Sequence, residues 1–197
     1  KKQLHGEAYL VRFADDFLIM FQYERDAQRV YEAIIRRMEL FGLELSKEKT
    51  RILPFGRNCG TRETFDFLGF THFNSKTRKG YYSVGHKISR KKKKQFKSNL
   101  KKWVKENRDK QFDEFMKKLN KKLTGSFNYY SLSGMIREVR SLWIHSLYVT
   151  FKWMNRRSQR RSFKLERFYE IWHERIIHPY IHVDIWSGDK VIYNKKV

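Results

Sequence analysis

Residues 9–21 read YLVRFADDFLIMF, two apolar, aromatic-rich runs on either side of Asp15 and Asp16. How this stretch folds decides the architecture of the N-terminal part. Val11, Phe13, Phe17 and Ile19 alternate with Leu10, Arg12, Leu18 and Met20, and apolar residues on both faces of an alternating run predict two mostly buried strands. Ala14, Asp15 and Asp16 then form the tight turn, with both acids at its tip. Two ionised neighbours repel each other and are costly to bury unpaired, so something cationic is expected close by. Taken alone, the dipeptide also fits a surface turn, because Asp is a favoured turn residue.

Downstream, Val30, Tyr31, Ile34, Ile35, Met38 and Phe41 recur at helical spacing. They predict a helix that covers one side of a sheet, with Asp26 as its N-cap and Gly42 as its stop. LELSKEKTRIL (43–53) alternates weakly and ends at Pro54, and GRNCGTRE (56–63) reads as a loop. FDFLGFTHF (65–73) reads as one strand, with Phe65, Phe67, Gly69, Thr71 and Phe73 on one face and Leu68, Phe70 and His72 on the other. NSKTRKG then turns it into YYSVGH as a second hairpin.

The chain has 197 residues and a formal charge of +23, which points to a polyanionic partner, most simply nucleic acid. That charge is uneven. Residues 1–86 hold 15 Lys or Arg against 11 Asp or Glu, net +4, whereas residues 87–197 hold 29 against 10, net +19. The shift marks a boundary near residue 87. In the basic part, Phe96, Leu100, Trp103 and Val104 recur at helical spacing with Ser89 as N-cap, and Phe112, Phe115, Met116, Leu119 and Leu123 repeat the pattern. A longer stripe runs from about Gly134 to Asn155, and another through Leu165, Phe168, Tyr169, Trp172 and Ile176. Amphipathic helices with short connections predict a small bundle, and IHVDIW (181–186) a closing strand. The overall expectation is an α+β chain: antiparallel hairpins with a covering helix, then helices. No internal repeat is visible.

Carboxylates on a rigid tip suit Mg²⁺, which takes oxygen ligands and keeps water or substrate phosphate in its other positions. Two such ions can activate a hydroxyl and stabilise a leaving pyrophosphate. FADD between apolar runs, then GLELSKEKTRIL, then FDFLGF, resembles the last three palm motifs of a reverse transcriptase in the order found in group II intron-encoded proteins. NYY (128–130) and WMNRRSQRRSF (153–163) resemble the thumb or maturase region of that family. The resemblance covers about residues 7–165 and rests on the ordered set rather than on any one motif.

The resemblance implies a division into a C-terminal part of the palm (1–87), a helical thumb/maturase domain (88–163) and a C-terminal helix and strand extension (164–197). It makes Asp15 and Asp16 the catalytic and metal-binding pair, Asp15 the more direct ligand. Phe13 stands where the family more often has Tyr, which keeps the ring but loses a hydroxyl. Lys49 matches a lysine placed to neutralise or protonate the departing pyrophosphate, although it also reads as an ordinary surface lysine. Leu68 and Gly69 match the primer grip; a packing glycine or bulge is the other reading. The third metal-binding Asp, the fingers and most of the nucleotide pocket lie upstream in the family. Two Mg²⁺ ions would therefore need an Asp from outside this chain, which also lacks an initiating Met. The expectation is a piece of a longer protein that does not polymerise by itself. The implied partners are group II intron RNA, an RNA/DNA template-primer duplex, a dNTP substrate and the missing fingers and palm.

For RNA contact the expected residues are Lys91, Lys92, Lys93, Lys94, Lys101, Lys102, Arg156, Arg157, Arg160 and Arg161, as salt-dependent phosphate binders. Tyr129 and Tyr130 could stack on bases or serve as bundle core. His173, His178 and His182 straddle Pro179 with no Cys among them, and read as structural or solvent-facing rather than metal-binding. Cys59, the single cysteine, is assigned no catalytic role. One cysteine, no signal peptide and no apolar run of about 18 residues lead to the expectation of a cytoplasmic protein, and the resemblance to that of a bacterial one. The rival to the enzyme is a non-catalytic basic module that assists intron RNA folding; a general RNA-packaging protein is a third reading and leaves the acidic tip without a purpose.

Overall fold

β1 (Ala8–Phe13) and β2 (Asp16–Phe21) pair antiparallel, from Ala8 opposite Phe21 to Phe13 opposite Asp16. This is seen in a computed structural model that describes residues 4–46, 48–157, 162–181 and 183–184. The hairpin forms as the alternation predicts, but its strands are not mostly buried. Tyr9, Leu10, Val11 and Phe13 are 57, 63, 44 and 64% exposed. Only two strands make this sheet, and α1 (Glu24–Leu40) packs on β2, which leaves β1 outermost. Alternation specifies which side chains share a face; it cannot say whether a second layer covers that face.

α1 presents Val30, Tyr31, Ile34, Ile35 and Met38 half-buried, as its stripe predicts. Its start differs. The N-cap is Tyr23, and Asp26 is the third helical residue. Asp26 is buried and its Oδ2 accepts from the backbone amides of His5 (2.9 Å) and Gly6 (3.0 Å), so it ties the N-terminal segment to the helix instead of capping it. Burial would raise its carboxyl, but those two amides and the charges of His5 and Arg29 outweigh burial and hold it below the usual carboxylate range. The helix ends in a Schellman arrangement: Gly42 N donates to Glu39 O and Leu43 N to Met38 O, with Gly42 at φ +66°.

FDFLGFTHF is not one strand. β3 (Thr64–Phe67) and β4 (Phe70–Lys76) pair antiparallel around a two-residue turn at Leu68–Gly69, and β5 (Tyr82–Ile88) adds a third strand beside β4. Leu68 and Gly69 have φ of +50° and +81°, the left-handed pair that such a turn demands. The first position usually announces itself with Asn, Asp or Gly; Leu hides it. Across this hairpin Asp66 accepts from the Thr71 hydroxyl, and Phe65 stacks on His72 with centroids 4.9 Å apart. Asn74 fastens the preceding loop to the sheet: Oδ1 accepts from Gly56 N (3.2 Å) and the Tyr82 hydroxyl (2.9 Å), and Nδ2 donates to Thr61 O (3.1 Å).

The chain divides into two units, Lys1–Gly85 and His86–Val197. The second holds α2 (Arg90–Asn107), α3 (Phe112–Tyr130), α4 (Ile136–Met154) and α5 (Leu165–Arg175). Ser89 caps α2 by accepting from Lys92 N (3.4 Å). α4 buries Val139, Leu142, Trp143, Ser146, Leu147, Thr150 and Met154, one continuous stripe at helical spacing. The two hydroxyls in it are satisfied locally: Ser146 donates to Leu142 O (2.7 Å) and Thr150 to Ser146 O (2.8 Å). Phe115, Leu119, Leu123 and Phe127 of α3 and Phe168 and Trp172 of α5 complete a mainly apolar core. After α5 the chain is stitched back by Asn120 Oδ1, which accepts from Ile177 N (2.9 Å), and by Trp143 Nε1, which donates to Ile177 O (3.0 Å). Of IHVDIW, Val183 forms an isolated parallel bridge with Leu132; His182, Ile185 and Trp186 lie outside the described residues.

Candidate functional site

The first hairpin turns on two residues, Ala14 and Asp15, with Asp16 already in β2. Ala14 has φ +50°, a left-handed conformation that costs a residue with a Cβ about 1–2 kcal/mol. Arg12 Nε holds the turn by donating to Ala14 O (3.0 Å). Arg12 is thus the nearby cation in sequence, yet it bonds a carbonyl. Among the described residues no hydrogen bond or ion pair engages the carboxylate of Asp15 or Asp16, and both residues are exposed. The cost of burial that made a partner necessary is not incurred, because water reaches the tip.

Among the described residues no group of three His, Cys, Asp or Glu side chains gathers as a metal site. Two adjacent, solvent-facing carboxylates fit Mg²⁺, which is commonly held by one or two carboxylates while water and phosphate fill the remainder. They do not fit a closed structural zinc site or an all-protein calcium cage. Lys49 sits exposed in the turn where the amides of Lys49 and Thr50 donate to Ser46 O at 3.0 and 2.9 Å. Leu68 and Gly69 form the tip of the second hairpin, so Gly69 serves the turn rather than a bulge within a strand. Ala14 and Leu68 are the two residues other than glycine with positive φ among the described ones, and they occupy the tips of the two hairpins.

On α2, Lys91, Lys92, Lys94, Lys101 and Lys102 are exposed, while Lys93 Nζ pairs with Glu138 at 3.0 Å. Lys102 also lies 4.0 Å from Glu106. Tyr129 is exposed and Tyr130 half-buried at the end of α3, their rings edge-to-face at 4.9 Å. Burial, then Tyr129, raises the Tyr130 hydroxyl. Arg156 and Arg157 are exposed just beyond α4, and Arg157 Nη2 donates to Lys110 O (3.1 Å). Arg160 and Arg161 lie outside the described residues. Asn155 ties Phe163 to the end of α4: its Oδ1 accepts from Phe163 N (2.8 Å) and its Nδ2 donates to Phe163 O (3.1 Å).

The sequence reading missed Lys105, Arg108 and Trp153, which lie together at the ends of α2 and α4. The signal was an aromatic residue directly before a run of arginines; its partners are distant in sequence. His173 and His178 pack ring against ring (4.5 Å) beside Trp143, and His182 lies outside the described residues. Burial, then His178, lowers His173 from its ordinary value. Cys59 is exposed and unpaired. No helix among the described residues is long and apolar enough to cross a membrane.

Two family models match. One, described as reverse transcriptase (RNA-dependent DNA polymerase), covers residues 1–72, from the N-terminal segment into β4. The other, described as the group II intron maturase-specific domain, covers residues 93–170, from α2 into α5. No curated protein matches the chain. With a reverse-transcriptase segment over the hairpins and a maturase segment over the helices that follow in sequence, this chain belongs to the group II intron-encoded reverse transcriptase/maturases, as part of the palm followed by the helical maturase region.

Proposed function

We propose that this chain carries part of the active site of an RNA-directed DNA polymerase and that its helical unit grips RNA, both the template-primer duplex and group II intron RNA. The observation that carries the reading is backbone strain in two chosen places: the hairpin tips at Ala14 and Leu68, which are the motifs that resemble the family's catalytic and primer-grip turns. Strain of this kind persists where a site needs a particular backbone course. The first tip holds Asp15 and Asp16 exposed, with no cation among the described residues paired to them. When bound there, Mg²⁺ supplies the positive charge that activates a primer hydroxyl and stabilises a leaving pyrophosphate. Lys49 supplies a further cation toward the departing phosphates, and Leu68 and Gly69 bring backbone close to the primer strand.

Two carboxylates hold Mg²⁺ weakly, and we assign the third to an Asp outside these 197 residues, so that the chain by itself does not polymerise. The exposed apolar face of β1 supports this, since contiguous apolar surface marks a place where something else packs. The remaining palm and the fingers would cover it. On this reading residues 1–87 are palm, 88–163 thumb/maturase and 164–197 an extension.

For the helical unit, the N-terminus of α2 is instructive. A helix N-terminus carries about half a positive charge, and its first turn here contains no acid and begins Arg90, Lys91, Lys92, Lys93, Lys94. That order opposes the helix dipole, and Glu138 answers one lysine of the run. Phosphates of an RNA backbone would neutralise the rest, together with Lys101, Lys102, Arg156, Arg157, Arg160 and Arg161. Tyr129 offers an exposed ring for a base.

The test uses Mn²⁺ as a paramagnetic substitute in NMR of the chain. Amide signals of residues 13–17 broaden on titration, and the broadening is lost in Asp15→Asn/Asp16→Asn. Primer extension by the chain reconstituted with the segment bearing the third carboxylate is abolished by the same pair, while help to intron splicing persists. Splicing help without any primer extension, and no Mn²⁺ broadening at the tip, would instead favour the non-catalytic RNA-folding module.

A further inference from the structure

Trp153, in the last turn of α4, is faced by three cations. Lys105 Nζ lies 5.8 Å from its ring centroid, the Arg108 guanidinium 5.4 Å and the Arg156 guanidinium 5.3 Å. They arrive from separate places: the last turn of α2, the residue just beyond α2, and the chain just beyond α4. Parallel packing of α2 and α4 explains the convergence. Lys93 pairs with Glu138 near the start of both helices and Arg108 meets Trp153 at their ends, with the same sequence separation of 45 at each end.

The local charge does not balance. The two helix C-termini contribute about half a negative charge each, enough to offset about one of the cations. Among the described residues the carboxylate recorded beside the cluster is Asp109, 3.8 Å from Arg108 Nε and itself largely in solvent. Arg157 adds a further positive charge at the same loop, where it holds Lys110 O. The three charges around Trp153 lie within roughly one Debye length of each other, about 10 Å at 0.1 M salt. The indole face attracts cations, but one ring does not cancel the repulsion among three. Arg108 Nε is buried and makes no hydrogen bond, so the part of this guanidinium left for an oxyanion is its outer Nη edge.

We propose that Lys105, Arg108 and Arg156 form a phosphate clamp for the RNA backbone, with Trp153 as the post that holds the three side chains together before RNA arrives. The proposal rests on the reading of the helical unit as RNA-binding and adds three residues to it: Lys105, Arg108 and Trp153. Because the clamp is assembled in advance, little side-chain freedom is left to lose on binding. Backbone phosphate is read without regard to base, so the clamp sets position rather than sequence preference.

The experiment is fluorescence anisotropy of a labelled RNA duplex with the full chain across a range of salt. Lys105→Gln/Arg108→Gln/Arg156→Gln is compared with Lys117→Gln/Lys121→Gln/Arg137→Gln, which removes the same charge from exposed, scattered sites. The clustered variant is expected to show a salt slope shallower by about 0.9 for each cation that had held a phosphate, and the scattered variant a slope close to native. Trp153→Leu leaves the charge unchanged and is expected to weaken binding several-fold, whereas Trp153→Phe retains most of it; circular dichroism melting shows that each variant folds. Equal slopes in the two triple variants, or native affinity in Trp153→Leu, overturn the clamp while leaving RNA binding by the helical unit intact. An equal loss in binding to polyglutamate overturns the assignment to phosphate. Failure of the native chain to bind the duplex at all falls on the underlying RNA-binding reading.

Discussion

The two units of this chain bury their apolar residues very differently. Of nineteen buried hydrophobic side chains among the described residues, Ala27 and Phe70 belong to residues 4–85, and the others run from Ile88 to Ile176. Yet YLVRFADDFLIMF is as apolar as any helix that follows it. The helical unit closes its own core because each amphipathic helix offers one stripe and neighbouring helices face stripe to stripe. A two-stranded hairpin with apolar side chains on both faces needs a layer on each side, and the one helix of this unit packs mainly on β2. The helical unit therefore draws its stability from within, while the hairpin unit presents surface and holds a strained, acidic tip to solvent.

The largest consequence lies in the helical core. Phe168 is fully buried against Phe151, Phe163 and Trp172, and Phe168→Ala is expected to cost about 3–5 kcal/mol, measured by urea unfolding followed through helical circular dichroism. A loss below about 1 kcal/mol would show that the core tolerates a hole and would erase the contrast. Next comes Asn155, whose side chain makes two hydrogen bonds to Phe163. At about 0.5–1.5 kcal/mol net for each bond, Asn155→Ala should destabilise by about 1–3 kcal/mol and raise hydrogen exchange at the Phe163 amide first.

Acid should separate the units more gently. His173 is lowered by burial and by His178, and His145 by burial and by Lys97. A histidine lowered in the folded state binds fewer protons there than in the unfolded chain. Stability of the helical unit is thus full above the unfolded value, about 6.5, and falls as pH drops through that value, levelling off once the folded histidines are also protonated. In the hairpin unit Asp26 is lowered, and its contribution is present above the unfolded carboxylate value, about 3.9, and is lost as pH falls toward the folded one. Amide exchange followed from pH 7 downward should loosen helical amides before those of His5 and Gly6; the reverse order would contradict both assignments. The smallest effect is expected at Leu10, 63% exposed, where Leu10→Gln should change stability by no more than about 0.5 kcal/mol.

Much of this was legible beforehand where a local pattern has a local cause. The stripes of α2, α3 and α4, the Ser89 cap, the Gly42 stop and the acidic hairpin tip all depend on residues a few positions apart. Asp26 was legible as a helix-start residue, but its partners are the amides of His5 and Gly6, some 20 residues away. The turn at Leu68–Gly69 was hidden because alternation continues through it and Leu is not a residue that advertises positive φ. Asn74, which ties together Gly56, Thr61 and Tyr82, looked like one more loop asparagine.

The amino-acid order alone determined the element types, the uneven charge, the place of the twin acids and the family, because periodicity, composition and ordered motifs are properties of neighbours along the chain. Tertiary structure alone decided how much of the first hairpin is covered, that its carboxylates are exposed with no partner among the described residues, and that Lys105, Arg108 and Arg156 meet around Trp153. Each of these depends on which surfaces come to lie together, and a face made by side chains 45 positions apart exists only once two helices have packed in parallel.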